Sequence, residues 1–541
     1  MHVGRAVVDW LAANGIEVVF GIPGKQTLPL NEAIDDRGDV RFVVARHETA
    51  VTHQAWGYAE TSGDLAATLV VPGPGDMNAM NGLKNAYNDC TPMLHLSVET
   101  DPEIRGGDGI HETPPDTYDN VVKENVLVET AESTLVELQR ALAAARSPPK
   151  GPVRVGIPKG FLARDVPLAD PGGYEPARRE PPSEGELAAA ADLLGGSERP
   201  VILAGGGVRA SEATDALRTV AERLEAPVVT TYKGKGTFPE DHRLFAGVLS
   251  GSASPELFDL LAGGDALLGV GTDLDAVATR SWSVEVPDRL VHVTLDPDDL
   301  GTGYAPAVGI VADARETLLG LADRFEGEDR TPDDRAAATR AGTDDRLAPL
   351  RDRTPFTSVG ALDVLADVIP EDAVVAADAG GFRVWSLNAF PASGPRSYVT
   401  PGSWATMGTG LPSGIGARLA NPDEDVVVLT GDGGLLMCLH ELHTVVAEGL
   451  PLVVVVLDNS DYAIISEEAE RAYGLDEGYG WGSTPIDFVA VAEGLGMDAA
   501  RAETPEAVRA AVSEALGSDG PTLVHVPTDP EEPQASEWMR E

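Results

Sequence analysis

Toward the C-terminal end two apolar runs, Val426-Val427-Val428-Leu429 and Val453-Val454-Val455-Val456-Leu457, bracket a stretch whose apolar positions recur at helical spacing. Unbroken apolar runs of this length predict strands buried on both faces, as in a parallel sheet. The same alternation recurs upstream. Val40 to Ala45 reads as a strand that feeds a helix opening at Arg46-His47-Glu48 and running through about Glu60, and Gly151 to Lys159 reads as another strand. A helix near Glu184 to Leu194 precedes the strand Pro200 to Leu203, and residues 1–20 read as helix then strand. Helices and strands therefore take turns, which predicts an α/β chain. Punctuation divides it into three units, residues 1–165, 185–325 and 356–528. Pro and charged residues crowd the first join, and Asp and Arg crowd the second, which holds one exposed helix. The segment from Asp529 to Pro533 and its neighbours reads as a mobile tail.

Composition changes the picture mainly through charge. At 541 residues with 43% hydrophobic content, three ordinary domains with sizeable cores are expected. No apolar run approaches the ~20 residues of a membrane span. Arg5, Asp9 and Glu17 interrupt any signal-like stretch, so the expected location is the cytoplasm. Cys90 and Cys438 are too few for a disulfide framework. Forty basic against 87 acidic residues leave a formal charge of −47, and lysine occurs only at 25, 84, 123, 150, 159, 233 and 235. Such a surface repels itself in dilute buffer, and molar salt removes that penalty by shortening the Debye length to ~3 Å. The composition points to a halophilic protein in a salt-rich cytoplasm. It disfavours nucleic acid, whose phosphates need a basic face.

Candidate chemistry sits where the two C-terminal strands end. Gly431-Asp432-Gly433-Gly434 closes the first and Asp458-Asn459 the second, with 28 positions from Gly431 to Asn459. A hard divalent cation such as Mg2+ takes oxygen ligands. Asp432 offers a carboxylate, Asn459 an amide oxygen and Asp461 a main-chain carbonyl. Glycines beside Asp432 let backbone approach a phosphate, and the helix that follows aims its N–H groups at an anion. A tight strand-to-helix turn with an acidic cap explains a lone Gly-Asp-Gly equally well. Glu48, likewise, complements the dipole of its own helix.

Taken together the motifs resemble those of thiamine diphosphate enzymes, specifically the acetolactate synthase large-subunit and 2-oxoacid decarboxylase group. Besides the Gly431 to Asn459 signature and Arg46-His47-Glu48, the resemblance rests on Phe20-Gly21-Ile22-Pro23-Gly24, on Val71 to Asn78 and on Ser403 to Pro412. Lys235 to His242 and Leu295-Asp296-Pro297 extend it through the middle unit. It implies three doubly wound parallel-sheet domains: pyrimidine-binding, middle and diphosphate-binding. It implies that Glu48 hydrogen-bonds the aminopyrimidine ring and that Pro23, Gly24, Gly75 and Asn78 line the cofactor pocket. Met407 takes the position that props the cofactor into a bent shape, although a methionine there also serves as core filler. Gly431, Asp432, Gly433, Gly434 and Asn459 hold the diphosphate, with Mg2+ on Asp432, Asn459 and Asp461. Because Glu48 and Asp432 lie in different units, the family pattern implies a homodimer at least, or a tetramer.

Departures from the family bear on the reaction. Acetolactate synthases carry FAD in the middle unit, with segments that this chain replaces by Leu249-Ser250-Gly251-Ser252 and Thr272-Asp273-Leu274-Asp275. Flavin is expected to be absent or weakly held. The Ala204-Gly205-Gly206-Gly207 run is as readily a structural turn as a phosphate cradle. His111 is placed to donate a proton or to bind an intermediate, or else is a surface histidine. Lys159 matches a basic position near the synthase pocket. After Asn459 the synthases use Arg-Gln-Trp to hold a second oxoacid, whereas this chain has Ser466-Glu467-Glu468, an acidic pair that repels an anionic acceptor. The expected activity is decarboxylation of a 2-oxoacid with carboligation, and the alternative is a non-oxidative decarboxylase that releases an aldehyde.

Overall fold

The structure, a computed structural model, describes residues 2–107, 109–172, 177, 179–325, 327, 330–475 and 478–539. Parts of both predicted connectors, 173–176, 178, 326 and 328–329, lie outside the described residues.

Three six-stranded sheets are built in succession, and every pairing within them is parallel. In spatial order the first runs Arg41–Val44, Val18–Gly21, Ala67–Val70, Met93–Glu99, Pro152–Pro158, Glu124–Leu127. The third runs Tyr398–Val399, Val374–Ala377, Val426–Gly431, Val453–Asp458, Thr522–Pro527, Asp498–Arg501. Numbered along the chain, both follow the order 2-1-3-4-6-5, so the first and last units share one topology. The middle sheet runs Val308–Val311, Leu290–Thr294, Ala266–Val270, Pro200–Ala204, Val228–Thr231, Phe245–Leu249. That is the doubly wound 3-2-1-4-5-6 order read from its other edge. Valine and leucine dominate the central strands because helices cover both faces of a parallel sheet.

The first and third units meet through two helices, Glu48–Ser62 and Gly410–Ala420. Glycine sets how closely they approach. A Cβ on Gly416 would collide with the Gln54 carbonyl, and one on Gly57 with the carbonyl of Ser413. A core cluster containing Phe20, Val51 and Trp56 continues into Ala376 and Val399 of the third sheet.

The C-terminal segment departs from expectation. Instead of a mobile tail, Asp529, Glu532, Gln534 and Met539 are buried, and Ala535–Trp538 forms a short helix. The Asp529 N–H bonds Phe356 O at 2.7 Å, Glu532 accepts the Ser358 N–H at 2.6 Å, and Trp538 Nε1 bonds Arg346 O at 2.9 Å. Polar composition suggested freedom, but Glu532 binds the first residue of the Ser358–Val368 helix, and Ala535 and Met539 join the core beside it. The helix expected in the second connector runs from Arg335 to Arg351, and it buries Ala336, Leu347 and Leu350.

Candidate active site

Four loops at the carboxyl edge of the first sheet converge. Glu48 opens its helix after the strand Arg41–Val44, and Asn78 Nδ2 donates to Glu48 Oε2 at 3.0 Å. Gly75 lies against them: a Cβ there would stand 2.8 Å from Val71 Cγ2 and 3.3 Å from Glu48 Oε1. Gly24 meets Val71 as tightly, and Gly73, in the left-handed region at φ 65°, backs onto the His111 carbonyl. His111 Nδ1 is 3.4 Å from Gln26 Nε2, which brings it to the Pro23-Gly24 loop. Lys159 stands apart. It is exposed at the end of Pro152–Pro158, four strand spacings or roughly 19 Å from the end of the Glu48 strand.

The second cluster occupies the same edge of the third sheet. Asp432 begins the helix Asp432–Cys438, and its Oδ1 accepts the Gly433 N–H at 2.8 Å. Its Oδ2 is buried without a hydrogen-bond partner. Asp458, on the neighbouring strand, accepts His525 Nε2–H at 2.7 Å and the Ser460 N–H at 2.8 Å. Burial, then the neighbouring carboxylate of Asp458, raise the Asp432 carboxyl well above the ordinary range. Asn459 Oδ1 accepts the Asp461 N–H at 3.3 Å, with Ser460 left-handed at φ 58° between them. Tyr462 and Met407 pack at Gly433, where any Cβ would meet Tyr462 Cε1 at 2.6 Å and Met407 Cε at 3.2 Å.

Behind both lies Asp378, fully buried at the end of Val374–Ala377. Its carboxylate accepts the N–H groups of Ala379, Gly408 and Thr409 at 2.8, 3.2 and 3.1 Å and the Thr430 hydroxyl at 3.0 Å. One side chain thus pins the Met407 turn to the strand that ends in Gly431. Burial pushes it up to about 6 against those hydrogen bonds.

This arrangement of three units coincides with a known family. Models of the thiamine pyrophosphate enzyme match the chain three times: the N-terminal TPP binding domain over residues 1–120, the central domain over 187–321 and the C-terminal TPP binding domain over 378–526. The chain belongs to the thiamine pyrophosphate-dependent enzymes. It is 31% identical to the acetolactate synthase large subunit of Parasynechococcus marenigrum, over 96% of this chain and 86% of that one. It is 34% identical to a Pseudomonas aeruginosa protein named "Probable 2-ketoarginine decarboxylase AruI", over 97% and 93%. A solved structure described as "X-ray structure of a putative thiamin diphosphate-dependent enzyme isolated from Mycobacterium smegmatis" superposes with a TM-score of 0.84 at 26% identity, covering 98% of this chain and all of that one.

For a thiamine pyrophosphate enzyme, the residues present fit the cofactor. Gly75 and Gly433 leave room that a side chain would fill, and Asp432 holds a buried oxygen with no donor, as a cation ligand does. Among the described residues no three His, Cys, Asp or Glu side chains gather around a common point, so any ion there draws on amide, carbonyl and phosphate oxygens as well. Sequence reading missed Asp378, Asp458 as the neighbour of Asp432, and the buried Glu441. Asp378 and Asp458 stand at strand ends and Glu441 in a helix, and only tertiary packing reveals what their carboxylates bind.

Proposed function

We propose that this enzyme catalyses thiamine diphosphate- and Mg2+-dependent decarboxylation of a 2-oxoacid and joins the decarboxylated fragment to a second carbonyl compound, as an acetolactate synthase does. The observation that carries the reading is the pair of half-sites: the Asn78-bonded carboxylate of Glu48 on one unit, and the unpartnered oxygen of Asp432 on another. When bound, thiamine diphosphate supplies a nucleophilic carbon and an electron sink for loss of carbon dioxide. Glu48 holds and returns the proton at the pyrimidine ring nitrogen, with Asn78 fixing its Oε2. Pro23, Gly24 and Gly75 shape the pyrimidine side, Met407 and Tyr462 wall the middle, and Gly431 to Gly434 approach the diphosphate. Asp432, the amide oxygen of Asn459 and the main-chain carbonyl of Asp461 would hold Mg2+. His111, beside the same loops, binds or protonates the reacting fragment, and Lys159 acts from farther out.

By the family pattern, which puts the two half-sites in different units, each centre joins Glu48 of one copy to Asp432 of another, in a dimer or tetramer. The middle unit works without FAD. At the carboxyl edge of its sheet, burial and then the charges of Asp275 and Asp299 raise the Asp273 carboxyl to about 6, and such a wall repels a dinucleotide phosphate. The net charge of −47 supports a salt-rich cytoplasm as the enzyme's setting.

A second reading has its own observation. On the helix Ala463–Tyr473, Glu467 faces the Gln534 backbone, and burial, then the charge of Glu537, raise its carboxyl. Gln534 Oε1 in turn closes on Gly381, and Phe382 packs on Gly431. An acid there suits a 2-oxoacid with a cationic side chain, in keeping with the name of the Pseudomonas relative. The fragment would then be protonated to an aldehyde. Incubation with cofactor, Mg2+, molar KCl and a panel of 2-oxoacids, with products identified by mass, decides. A hydroxy-oxoacid condensed from two pyruvates supports the synthase, an aldehyde from a cationic oxoacid supports the decarboxylase, and no carbon dioxide from any oxoacid defeats both.

A further inference from the structure

The short helix Glu441–Ala447 grips the segment that carries Glu48. Glu441 is wholly buried. Its Oε1 accepts the backbone N–H of Arg46 at 2.8 Å and of His47 at 3.0 Å, the two donors immediately before Glu48. Its Oε2 accepts Gln54 Nε2–H at 3.2 Å, from the Glu48 helix itself, and the Thr444 hydroxyl at 2.6 Å. The next residues reinforce the grip. His443 Nδ1 lies 2.8 Å from Arg46 Nη2, and Glu448 accepts the Val44 N–H at 3.3 Å and Arg41 Nη2–H at 2.9 Å.

This carboxylate is an expensive way to join two surfaces. Burying an ionised acid costs several kcal/mol unless hydrogen bonds replace its water. The two units are already held together by the close backbone approach at Gly57 and Gly416. What Glu441 adds is direction: two convergent N–H groups on a single oxygen fix the last peptide planes before Glu48, and Gln54 fixes the helix behind it. We propose that Glu441 is a positioning residue that sets the angle at which Glu48 presents its carboxylate to the pyrimidine ring. This rests on the reading of Glu48 given above.

Exchange of the thiazolium C2 proton of bound cofactor in deuterated buffer, followed by NMR after acid quench, tests it, because that exchange reports the work of Glu48 without turnover. Glu48→Gln serves as reference. If it exchanges at the wild-type rate, the reading of Glu48 itself fails, and the role of Glu441 with it. With Glu48→Gln inactive, Glu441→Ala is expected to slow exchange and kcat by roughly 100-fold, as an ångström of misplacement does, while KM and cofactor affinity move by less than about 3-fold. Glu441→Gln keeps one carbonyl acceptor for the two N–H groups and is expected to recover to within about 10-fold of wild type. A folded, cofactor-loaded Glu441→Ala enzyme that exchanges at the wild-type rate overturns the proposal alone. Should that variant fail to fold, Glu441→Asp takes its place: its shorter side chain draws away from Arg46 and His47, so slowed exchange supports the proposal and wild-type exchange overturns it.

Discussion

Asn78 Nδ2 donates to Glu48 Oε2 at 3.0 Å, so the starts of two helices on the first sheet, Glu48–Ser62 and Pro74–Asn88, face each other across one hydrogen bond. The bond leaves Glu48 Oε1 for a ligand. Glu48→Gln is expected to lower kcat by about 100-fold or more, the range of a lost acid–base group, with unchanged thermal unfolding. Asn78→Ala removes only the orienting bond and should cost about 10-fold. Product formation at saturating oxoacid measures both, and near-wild-type turnover in Glu48→Gln would remove Glu48 from the chemistry.

Asp432 predicts the response to metal removal. Its Oδ2 is buried and has no donor, and Asp458 stands beside it already bound by His525. The charge of Asp458 opposes ionisation of Asp432, and a cation on Asp432 would relieve that repulsion. Asp432→Asn is expected to weaken thiamine diphosphate binding by about 100-fold, because the charge that neutralises the diphosphate loses its anchor. Isothermal titration reads this directly. Chelation of Mg2+ from the wild type should have the same effect, reversed by adding the ion back, and undiminished binding in both cases would place the metal elsewhere.

How much of this was readable beforehand depended on whether the signal was local. The sheet strands were legible because Val426 to Leu429 and Val453 to Leu457 are apolar without interruption, which a doubly covered strand requires. The candidates Glu48 and Asp432 drew attention because each opens a helix directly after a strand, Asp432 between glycines and Glu48 within the Arg46-His47-Glu48 segment that resembles the family's. Asp378 and Glu441 did not, since a carboxylate is written as polar whether it points to water or to four backbone and side-chain donors. The docked C-terminus was misread for the same reason: Asp529 and Glu532 look solvated in sequence, yet they bond Phe356 and Ser358. Burial of a charge is a property of its partners, and those lie far away in the chain.

The first unit encloses an ion network that predicts its acid limit. Arg154, almost fully buried, binds Asp76 at 2.6 Å and also pairs with Glu99, while His95 Nε2 stands 2.9 Å from Asp76. Burial alone would raise the Asp76 carboxyl, but Arg154 and His95 hold it well below the usual range. A depressed folded value means that the unfolded chain binds the proton first. The stabilisation is therefore complete above about pH 4, and it is lost as pH falls further toward the folded value. Arg154→Met strands two buried acids and should cost roughly 3–5 kcal/mol at neutral pH. It should also flatten the acid limb of stability measured by denaturant unfolding, and an unaltered limb would assign acid unfolding to other carboxylates.

Glu532 predicts a slope of the opposite sign. Burial raises its carboxyl to about 7, although the Ser358 N–H and hydroxyl pull it down. The folded state then keeps a proton that the unfolded chain releases near pH 4.5, so stability falls as pH rises from about 4.5 to 7 and levels off beyond. Glu532→Gln retains one acceptor for Ser358 and cannot ionise. Its stability relative to wild type should rise across that window, and equal slopes in the two proteins would show that the C-terminal segment is solvated rather than docked.

Charge at the surface predicts dependence on salt, and the lysines show why. Three of the seven are tied to partners within the fold: Lys123 Nζ donates to the carbonyls of Ala144, Ser147 and Pro149 at 2.8, 2.6 and 2.7 Å, Lys235 pairs with Glu240 at 2.9 Å, and Lys233 bridges Glu60 and Asp89 at 3.3 and 3.2 Å. Carboxylates outnumber cations by far in what remains, for a net −47. Between 0.1 M and 1 M salt the Debye length falls from about 10 Å to about 3 Å, which screens repulsion between surface carboxylates but leaves the buried pairs nearly untouched. The unfolding midpoint is therefore expected to climb by roughly 10 °C or more over that interval. Choline chloride should act as well as KCl, because screening depends on ionic strength and not on the cation. A midpoint that rises in sulfate but not in either chloride would mean that exclusion from apolar surface, not the acidic shell, governs stability.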